Sequence, residues 1–434
     1  MNWPKTGSRL RPPALRAAWF PDFDSSEEAP VILYLPALVL FLYLLFRLVL
    51  PSGLSRAGKA AAGIALFFAS QEYLLNGFFF GGLSAPHLPA WVLMLQGWLF
   101  ASLLVLFALT LLRDMALLGV GLARRAGRGL RRKPGQSAAF SPGRRRFLAA
   151  GLSAAPASVL GRVSLAGLVL APTACGVREA VAVPDVRRRD VVLPRLPAAL
   201  DGLRLAQISD LHVSPLLGRG WVRAVVERVN AQGADVVVLT GDMVDGLPAD
   251  RAESVAELRR LRARYAVLAC TGNHEYYSGF TAWMEIFSEL GMTMLLNSHQ
   301  TLGIRGHELV LAGVTDPAAA RFNLPEPDLA AALAGAPDGA ARILLDHRPG
   351  NAARNARKGV DLQLSGHTHG GHAPGLSTVV GLFNQGYVRG WYQVEGMPLY
   401  VSAGAGLWNG FPLRVGVPSE IALITLRCAA ARPA

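Results

Sequence analysis

Five short polar segments in the second half of the chain each follow a short apolar run. In order they are Asp210–His212, Gly241–Asp245, Gly272–Glu275, His347 and Gly366–His369. Short, apolar and often β-branched runs predict buried strands, so each segment lies where a strand would end. Loops at the carboxyl ends of strands are where open α/β sheets bind their ligands. We therefore expect the five segments to meet on one rim.

The apolar runs alternate with amphipathic stretches at 219–232, 249–264 and 280–290, which predict helices. This alternation favours an α/β layered fold built from βαβ units. The predicted strands are 203–209, 235–240, 266–271, 309–314, 343–346, 360–364, 399–402 and 421–426.

The positive charge of the chain, +13 in total, is unevenly distributed. Residues 1–150 hold 17 Lys and Arg against 6 Asp and Glu, whereas residues 201–434 hold 20 against 21. The excess therefore lies beside the apolar first half, where it is typical of a membrane-topology signal. No nucleic acid partner is expected, because the region with the five segments is close to neutral.

Three long apolar runs, at 31–50, 60–80 and 90–112, precede this region. Each is near the roughly 20 residues needed to cross a hydrocarbon core, which predicts a three-helix transmembrane region at 31–122 after an N-terminal tail at 1–30. The linker at 123–146 is rich in arginine, and the loop between the second and third runs has no Lys or Arg. The linker should therefore be cytoplasmic.

A fourth, weakly apolar segment at 147–174 follows Arg144–Arg146, and together they resemble a twin-arginine export signal. An ordinary fourth span or a surface-lying amphipathic helix also fits, since Arg162 interrupts the stretch. Twin-arginine export or an ordinary fourth span would place a linker at 175–189 and a domain at 190–434 outside the cytoplasm. Cys175 lacks the aliphatic residue expected three positions before a lipidated cysteine, so no lipid anchor is predicted.

The polar segments combine residues that bind metals. Asp, Asn and neutral His offer oxygen and nitrogen donors without a thiolate, a set that suits Mn²⁺, Fe or Zn²⁺. One such motif is weak, because a lone His is more often a satisfied polar group than a ligand. The nine histidines of the chain include five in these segments, which together indicate metal-assisted hydrolysis: His212, His274, His347, His367 and His369.

The five segments have the forms D-x-H, GDxxD, GNH[DE], H and GHxH, in that order. From residue 190 to about 428 the chain thus resembles the calcineurin-like metallophosphoesterases, which implies a layered αββα sandwich. The Gly366–Gly371 stretch and the membrane-anchored arrangement resemble the YkuE-like and YaeI-like bacterial branch. This implies a multi-pass protein of the bacterial inner membrane. The distribution of Lys and Arg, rather than the resemblance, predicts that its catalytic domain is extracytoplasmic.

The resemblance implies a binuclear metal centre. One ion would be bound by Asp210, His212, Asp242 and His369. The other would be bound by Asp242, Asn273, His347 and His367, with Asp242 as the bridge. Two such ions about 3.5–4 Å apart generate a bridging hydroxide and orient a phosphate ester for attack.

The neighbours of these ligands receive roles of their own. His274 is the candidate general acid that protonates the leaving oxygen. Asp245 and Glu275 are interpreted as groups that orient the histidine side chains. Gly241, Gly272 and Gly366 would let the backbone turn sharply against the ions.

The expected reaction is hydrolysis of a phosphodiester or pyrophosphate at a membrane surface. Related proteins suggest lipid-linked or nucleotide-sugar-lipid phosphates, such as UDP-diacylglucosamine. The late aromatic residues fit an apolar wall facing the membrane or ordinary packing: Phe383, Tyr387, Trp391, Tyr392, Trp408 and Phe411. The alternative is a non-catalytic metal-binding sensor or scaffold in the membrane.

Overall fold

Two six-stranded β-sheets form the region after residue 184 in the computed structural model, which describes residues 28–79, 87–130, 159–408 and 411–429. The strands are β1 (Asp185–Leu193), β2 (Arg204–Ile208), β3 (Val236–Thr240), β4 (Ala266–Cys270), β5 (Thr293–Met294), β6 (Ser298–Ile304), β7 (His307–Gly313), β8 (Ala341–Leu345), β9 (Leu362–Ser365), β10 (Gly390–Val394), β11 (Met397–Val401) and β12 (Glu420–Cys428). The first sheet has the order β1-β12-β2-β3-β4-β5, and the second has the order β10-β11-β9-β8-β7-β6.

The described helices are α1 (Glu28–Leu44), α2 (Arg56–Ser70), α3 (Glu72–Phe79), α4 (Ala90–Leu130), α5 (Val159–Ala180), α6 (Arg219–Asn230), α7 (Pro248–Val255), α8 (His274–Tyr277), α9 (Phe280–Glu289), α10 (Leu329–Leu333), α11 (Ala352–Arg357) and α12 (Leu376–Phe383). A π-helical turn, Leu45–Val49, extends α1. Short 3₁₀ turns lie at Ala198–Leu200, Ala256–Arg260, Pro317–Phe322, Pro349–Asn351 and His369–Gly371.

Apolar side chains from both sheets form one buried cluster between them. Leu205 and Val236 contribute to it from the first sheet, and Leu311 and Ile343 contribute from the second. Burial of such a side chain stabilises the fold by roughly 1.5–3 kcal/mol. Helices cover the outer faces, where α6 and α9 pack on the first sheet and α10 and α11 pack on the second. The layered αββα sandwich predicted from the resemblance is confirmed.

Strands β2, β3 and β4 lie side by side in that order and run parallel, so their carboxyl ends share one edge. Strands β7, β8 and β9 are likewise parallel. All eight predicted strands are present within a few residues of their expected bounds. The predicted helix at 249–264 is shorter than expected, since α7 ends at Val255 and a 3₁₀ turn continues to Arg260.

The first half of the chain is helical where the structure describes it. Among the described residues, one helix is long and apolar enough to cross a membrane, Ala90–Arg124, and Leu35–Val49 is a shorter apolar helix. The second predicted span forms two shorter helices, because α2 ends at Ser70 and α3 begins at Glu72. The tail up to residue 27 and the twin-arginine-like residues Arg144–Leu148 lie outside the described residues.

A loop of the sandwich, residues 411–415, packs against the helices of the first half of the chain. Phe411 packs against Phe100 of α4, with ring centroids 6.4 Å apart. A Cβ atom added at Gly97 would overlap the ring of Pro412, and one added at Gly176 of α5 would lie 2.6 Å from Leu413. The sandwich therefore rests closely on the first third of the membrane-span candidate.

Candidate metal centre

Each predicted ligand lies just beyond the strand assigned to it. Asp210 and His212 follow β2, Asp242 follows β3 and Asn273 follows β4. His347 follows β8, while His367 and His369 follow β9. The loops converge on one rim, as the strand ends predicted.

Three overlapping groups of side chains lie close enough to hold a metal, with their donor atoms within 4.8 Å of one another. These groups are Asp210 with His212 and His369, His212 with Asp242 and His274, and Asp242 with His347 and His367. Asp242 Oδ2 lies 3.1 Å from Nε2 of His347 and 3.6 Å from Nε2 of His212. This carboxylate therefore lies between two histidine groups, where a bridging ligand would be.

Several of these donor atoms are buried without a hydrogen-bond partner in the described structure. They are Nε2 of His212, Oδ1 of Asn273 and Nε2 of His347, whose 3.1 Å distance from Oδ2 of Asp242 is an ionic contact without hydrogen-bond geometry. Buried polar atoms in proteins are nearly always satisfied, so three such atoms in one pocket require an explanation. Divalent cations would satisfy all three, and the residues therefore fit the predicted metals.

The other ring nitrogens fix how these histidines are oriented. Nδ1 of His347 donates to the carbonyl oxygen of Thr240 at 2.8 Å, and Nδ1 of His212 lies 3.0 Å from Oδ1 of Asp245. A proton held on Nδ1 leaves the lone pair on Nε2 available to a metal. Asp245 also binds Nδ1 of His274 at 2.6 Å, so its interpretation as a histidine-orienting group agrees with the geometry.

Glu275 has a different function from the one expected. Its carboxylate accepts the backbone N–H groups of Asp242 at 3.0 Å, Met243 at 2.6 Å and Gly272 at 2.7 Å. The interpretation that it orients histidines is wrong, because it joins two ligand-bearing loops through their backbones. Main-chain amides carry no sequence signature, so the residue pattern does not distinguish these two functions.

Most of the predicted ligands have a left-handed backbone. The φ angle is 54° at Asp210, 44° at His212, 52° at Asp242, 71° at His367 and 48° at His369. Each such non-glycine residue costs about 1–3 kcal/mol and persists where surrounding contacts impose it, most often at functional sites.

The glycines of the segments allow close approach. Only Gly241 of the three has the positive φ, 86°, of a sharp turn. A Cβ atom at Gly272 would overlap the Asp242 carboxylate, and one at Gly366 would overlap that of Asp210. The latter two are therefore required for space rather than for a turn.

Residues 203–371 match the family model for the calcineurin-like phosphoesterases. YkuE, an uncharacterized metallophosphoesterase of Bacillus subtilis, is 30% identical over 54% of this chain and 82% of its own length. The chain belongs to the calcineurin-like phosphoesterase family. The sandwich at 185–428 is hereafter called the phosphoesterase domain.

Other relatives of the phosphoesterase domain are longer. An uncharacterized metallophosphoesterase of Campylobacter jejuni is 34% identical over 58% of this chain and 65% of its own length. A zebrafish (Danio rerio) protein named for a transmembrane part and a metallophosphoesterase domain is 35% identical, over 58% of this chain and 59% of its own. The chain thus spans less than two thirds of the length of each of these two relatives, 65% and 59% respectively.

Acidic and basic groups oppose each other inside the phosphoesterase domain. Burial disfavours the charged form of His347, but Asp242 and Asp210 outweigh it and raise its pKa to about 10. His274 behaves alike, since burial is outweighed by Asp242 and Asp245 and its pKa rises to about 9. These two shifts reflect the carboxylates around His347 and His274. Burial instead lowers the pKa values of His367 and His369 well below the usual value, which keeps these rings neutral and able to bind a divalent ion.

Arg414 is a feature of the phosphoesterase domain that sequence reasoning missed. It is fully buried, and its guanidinium donates to the carbonyl oxygens of Ala403 and Gly406, both at 2.7 Å, and of His369 at 3.5 Å. It therefore ties the loop of a predicted ligand to the 402–417 segment. A single arginine among apolar neighbours gives no sign of this in the sequence.

Some of the late aromatic residues are packed in the core, and others are placed as an apolar wall facing the membrane would require. Tyr387 and Tyr392 pack on the core of the second sheet, and Trp391 packs on the cluster between the sheets. Phe411 contacts the membrane-span candidate, whereas Phe383 is 84% exposed. Ordinary packing in the sandwich therefore explains Tyr387, Tyr392 and Trp391, but not Phe411 or Phe383.

Proposed function

We propose that this chain is a metal-dependent phosphoesterase that hydrolyses a phosphodiester or a pyrophosphate with two divalent ions, Mn, Fe or Zn, at a membrane surface. The observation that carries the proposal is the set of three buried, unpartnered donor atoms on His212, His347 and Asn273 beside the Asp242 carboxylate.

Six of the seven proposed ligands come from the close groups of donor atoms. Asn273 is added from the family pattern, and His274, which shares a group with His212 and Asp242, is proposed as a proton donor instead of a ligand. Asp210, His212 and His369 would hold one ion, His347, His367 and Asn273 would hold the other, and Asp242 would be a ligand of both. When bound, the ions would supply a nucleophile at neutral pH and neutralise charge on the phosphate.

His274 is proposed to protonate the leaving oxygen. Its side chain is 13% exposed, so a substrate can reach it, whereas the side chains of His212 and His347 are completely buried. Asp245 fixes the ring through Nδ1 and stabilises the protonated imidazole, which leaves Nε2 to hold the proton that is donated. A binding module would have no need of this residue.

The position of the phosphoesterase domain on α4 supports a location outside the cytoplasm, at the surface of the bacterial inner membrane. The 411–415 loop contacts α4 at Gly97 and Phe100, near the end opposite Arg124 and the basic linker. Basic residues favour the cytoplasmic side, so the other end of α4 would lie outside. This location favours lipid-linked phosphates over cytoplasmic nucleotide-sugar-lipids as substrates.

The proposal is tested by hydrolysis of bis(p-nitrophenyl) phosphate by the purified full chain. We expect activity that a chelator abolishes and that Mn²⁺ or Zn²⁺ restores. His274→Ala should lose activity and keep its metal, while His307→Ala, at an exposed histidine on β7, serves as the control. Unchanged activity in His274→Ala would refute its role, and inactive metal-loaded protein would favour the scaffold alternative.

Topology is tested separately with a reporter fused after Ala434. Alkaline phosphatase should be active at this position, and a fluorescent protein that matures only in the cytoplasm should be dark. The reverse pattern would place the domain inside and make cytoplasmic nucleotide-sugar-lipids the better candidates.

A further inference from the structure

Helix α12 presents an apolar face that nothing in the described chain covers. Leu382 is 79% exposed and Phe383 is 84% exposed, the highest values among the large apolar side chains of the described residues. Val379, one turn earlier, is 47% exposed, and α12 contains no charged residue. Water contact with such a face is unfavourable by about 25 cal/mol per Å².

The helix lies beside the proposed metal centre. It begins four residues after His372, whose preceding turn contains the proposed ligand His369. A Cβ atom at Gly371 would contact Ser377 of α12, so the turn and the helix pack together without space for a side chain. The first turn of α12 is therefore held close to the proposed metal centre.

The helix also begins at the end of the domain that meets the membrane-span candidate. The N–H of Val415 donates to the carbonyl oxygen of His372 at 2.9 Å, and the rings of His372 and Phe411 are 5.1 Å apart. Val415 lies against Gly176 of α5, as Phe411 does against Phe100 of α4. The segment that leads into α12 is thus continuous with the surface that rests on the membrane helices.

We propose that α12 enters the interfacial layer of the phospholipid bilayer, with Val379, Leu382 and Phe383 among the acyl chains. A short apolar helix beside a membrane span gains by burying its apolar face at the boundary between headgroups and acyl chains. The continuity with the span-docking loop favours the bilayer over a protein partner.

This location deepens the proposed function, on which its consequence for the substrate rests. A metal centre held beside a bilayer-inserted helix lies at the level of the headgroups. The substrate class is then a phosphate ester whose lipid part stays in the membrane while its phosphate enters the site.

The location is tested without catalysis by spin labels on the full chain in phosphatidylethanolamine and phosphatidylglycerol nanodiscs. A label at Phe383→Cys is compared with one at Val192→Cys, an apolar side chain of β1 that is 55% exposed, after Cys175, Cys270 and Cys428 are replaced. We expect the label at 383 to collide with oxygen more than with a water-soluble nickel chelate, and the label at 192 to show the reverse. Nickel access like that of the control, or protection from both reagents as in a protein contact, would overturn the proposal.

A second variant tests the consequence for the substrate. Leu382→Ser with Phe383→Ser should hydrolyse soluble bis(p-nitrophenyl) phosphate like the wild type, which also shows that it folds. Its activity on a phosphate ester of a lipid in vesicles should fall by at least about tenfold, because two apolar side chains are lost and the loss of one alone corresponds to a change of about that size. Equal activity on vesicles would refute the inference, whereas a wild type inactive on both substrates would refute the proposed function and leave the label result unaffected.

Discussion

Oδ1 of Asp245 lies 2.6 Å from Nδ1 of His274. The same oxygen lies 3.0 Å from Nδ1 of His212, so one carboxylate orients both a proposed ligand and the proposed proton donor. The centroids of the two imidazole rings are 4.5 Å apart and the rings are nearly perpendicular, so their Nε2 atoms point in different directions. Metal binding and proton donation therefore depend on one side chain.

Asp245→Asn should reduce both functions. The amide keeps the size of the side chain but can no longer accept both Nδ1 protons with a charged oxygen. Loss of such a partner typically costs about 10–100-fold in metal affinity or activity, and we expect kcat/KM to fall within that range.

The control is Asp338→Asn, at a fully exposed carboxylate. Metal content, measured on the same samples as the kinetics, separates a loss of metal binding from a loss of proton donation. A variant with wild-type activity and metal content would show that Asp245 is dispensable.

Gly366→Ala should displace Asp210, because the new Cβ atom would overlap both its carboxylate and the Ser209 hydroxyl. We expect lower metal content and at least about tenfold lower activity, as for other disturbed ligand environments. Gly220→Ala in α6 meets no atom within 4 Å and should be neutral or slightly stabilising. Equal metal content in the two variants would contradict the close approach inferred at Gly366.

The predictable part of the fold is the part with continuous apolar strands. β3 reads Val-Val-Val-Leu-Thr and is buried throughout, so its place in the core is visible in the sequence. β1 was missed because it contains Arg187, Arg188 and Arg189 and buries only Val191 and Leu193. It pairs with β12 alone at the sheet edge, where charged side chains are tolerated.

The sequence predicts the residues of the candidate site but not the contacts that hold its loops in place. The order and spacing of the polar segments place the seven proposed ligands on one rim. The contacts that hold those loops come from backbone groups, as with the three amides bound by Glu275 and the carbonyls bound by Arg414. Such contacts depend on the folded chain path, which no residue pattern reports.

Gly97→Leu should test whether the span candidate supports the metal centre. The larger side chain would push on Pro412 and move the segment that contains Arg414. We expect hydrolysis of soluble substrate to fall several-fold and protease cleavage near 411–417 to increase. Gly119→Leu is the matched control, since it lies on the same helix with no atom within 4 Å. The same activity in both variants would show that the contact does not support the site.

The pH dependence of stability can be tested at Glu257. Hydrogen bonds from Arg223 and Arg219 lower the pKa of its carboxyl from 4.5 to about 2. A lowered pKa in the fold adds stability above pH 4.5 that is lost as the pH falls toward 2.

Glu257→Gln should therefore unfold at lower urea concentration than the wild type at pH 7. The difference between the two should narrow as the pH falls below 4.5. Glu289→Gln, at an exposed carboxylate of α9, is the control. A difference that stays constant with pH would rule out an ionic contribution.

The binuclear centre is tested most directly by the metal content of the purified full chain, measured by elemental mass spectrometry beside two variants. The geometry predicts two ions in the wild type, one in Asp210→Ala and almost none in Asp242→Ala, since Asp242 lies between the two groups of donors. Wild-type protein that hydrolyses phosphate esters with one ion or none, or Asp242→Ala protein that keeps both ions, would contradict the account.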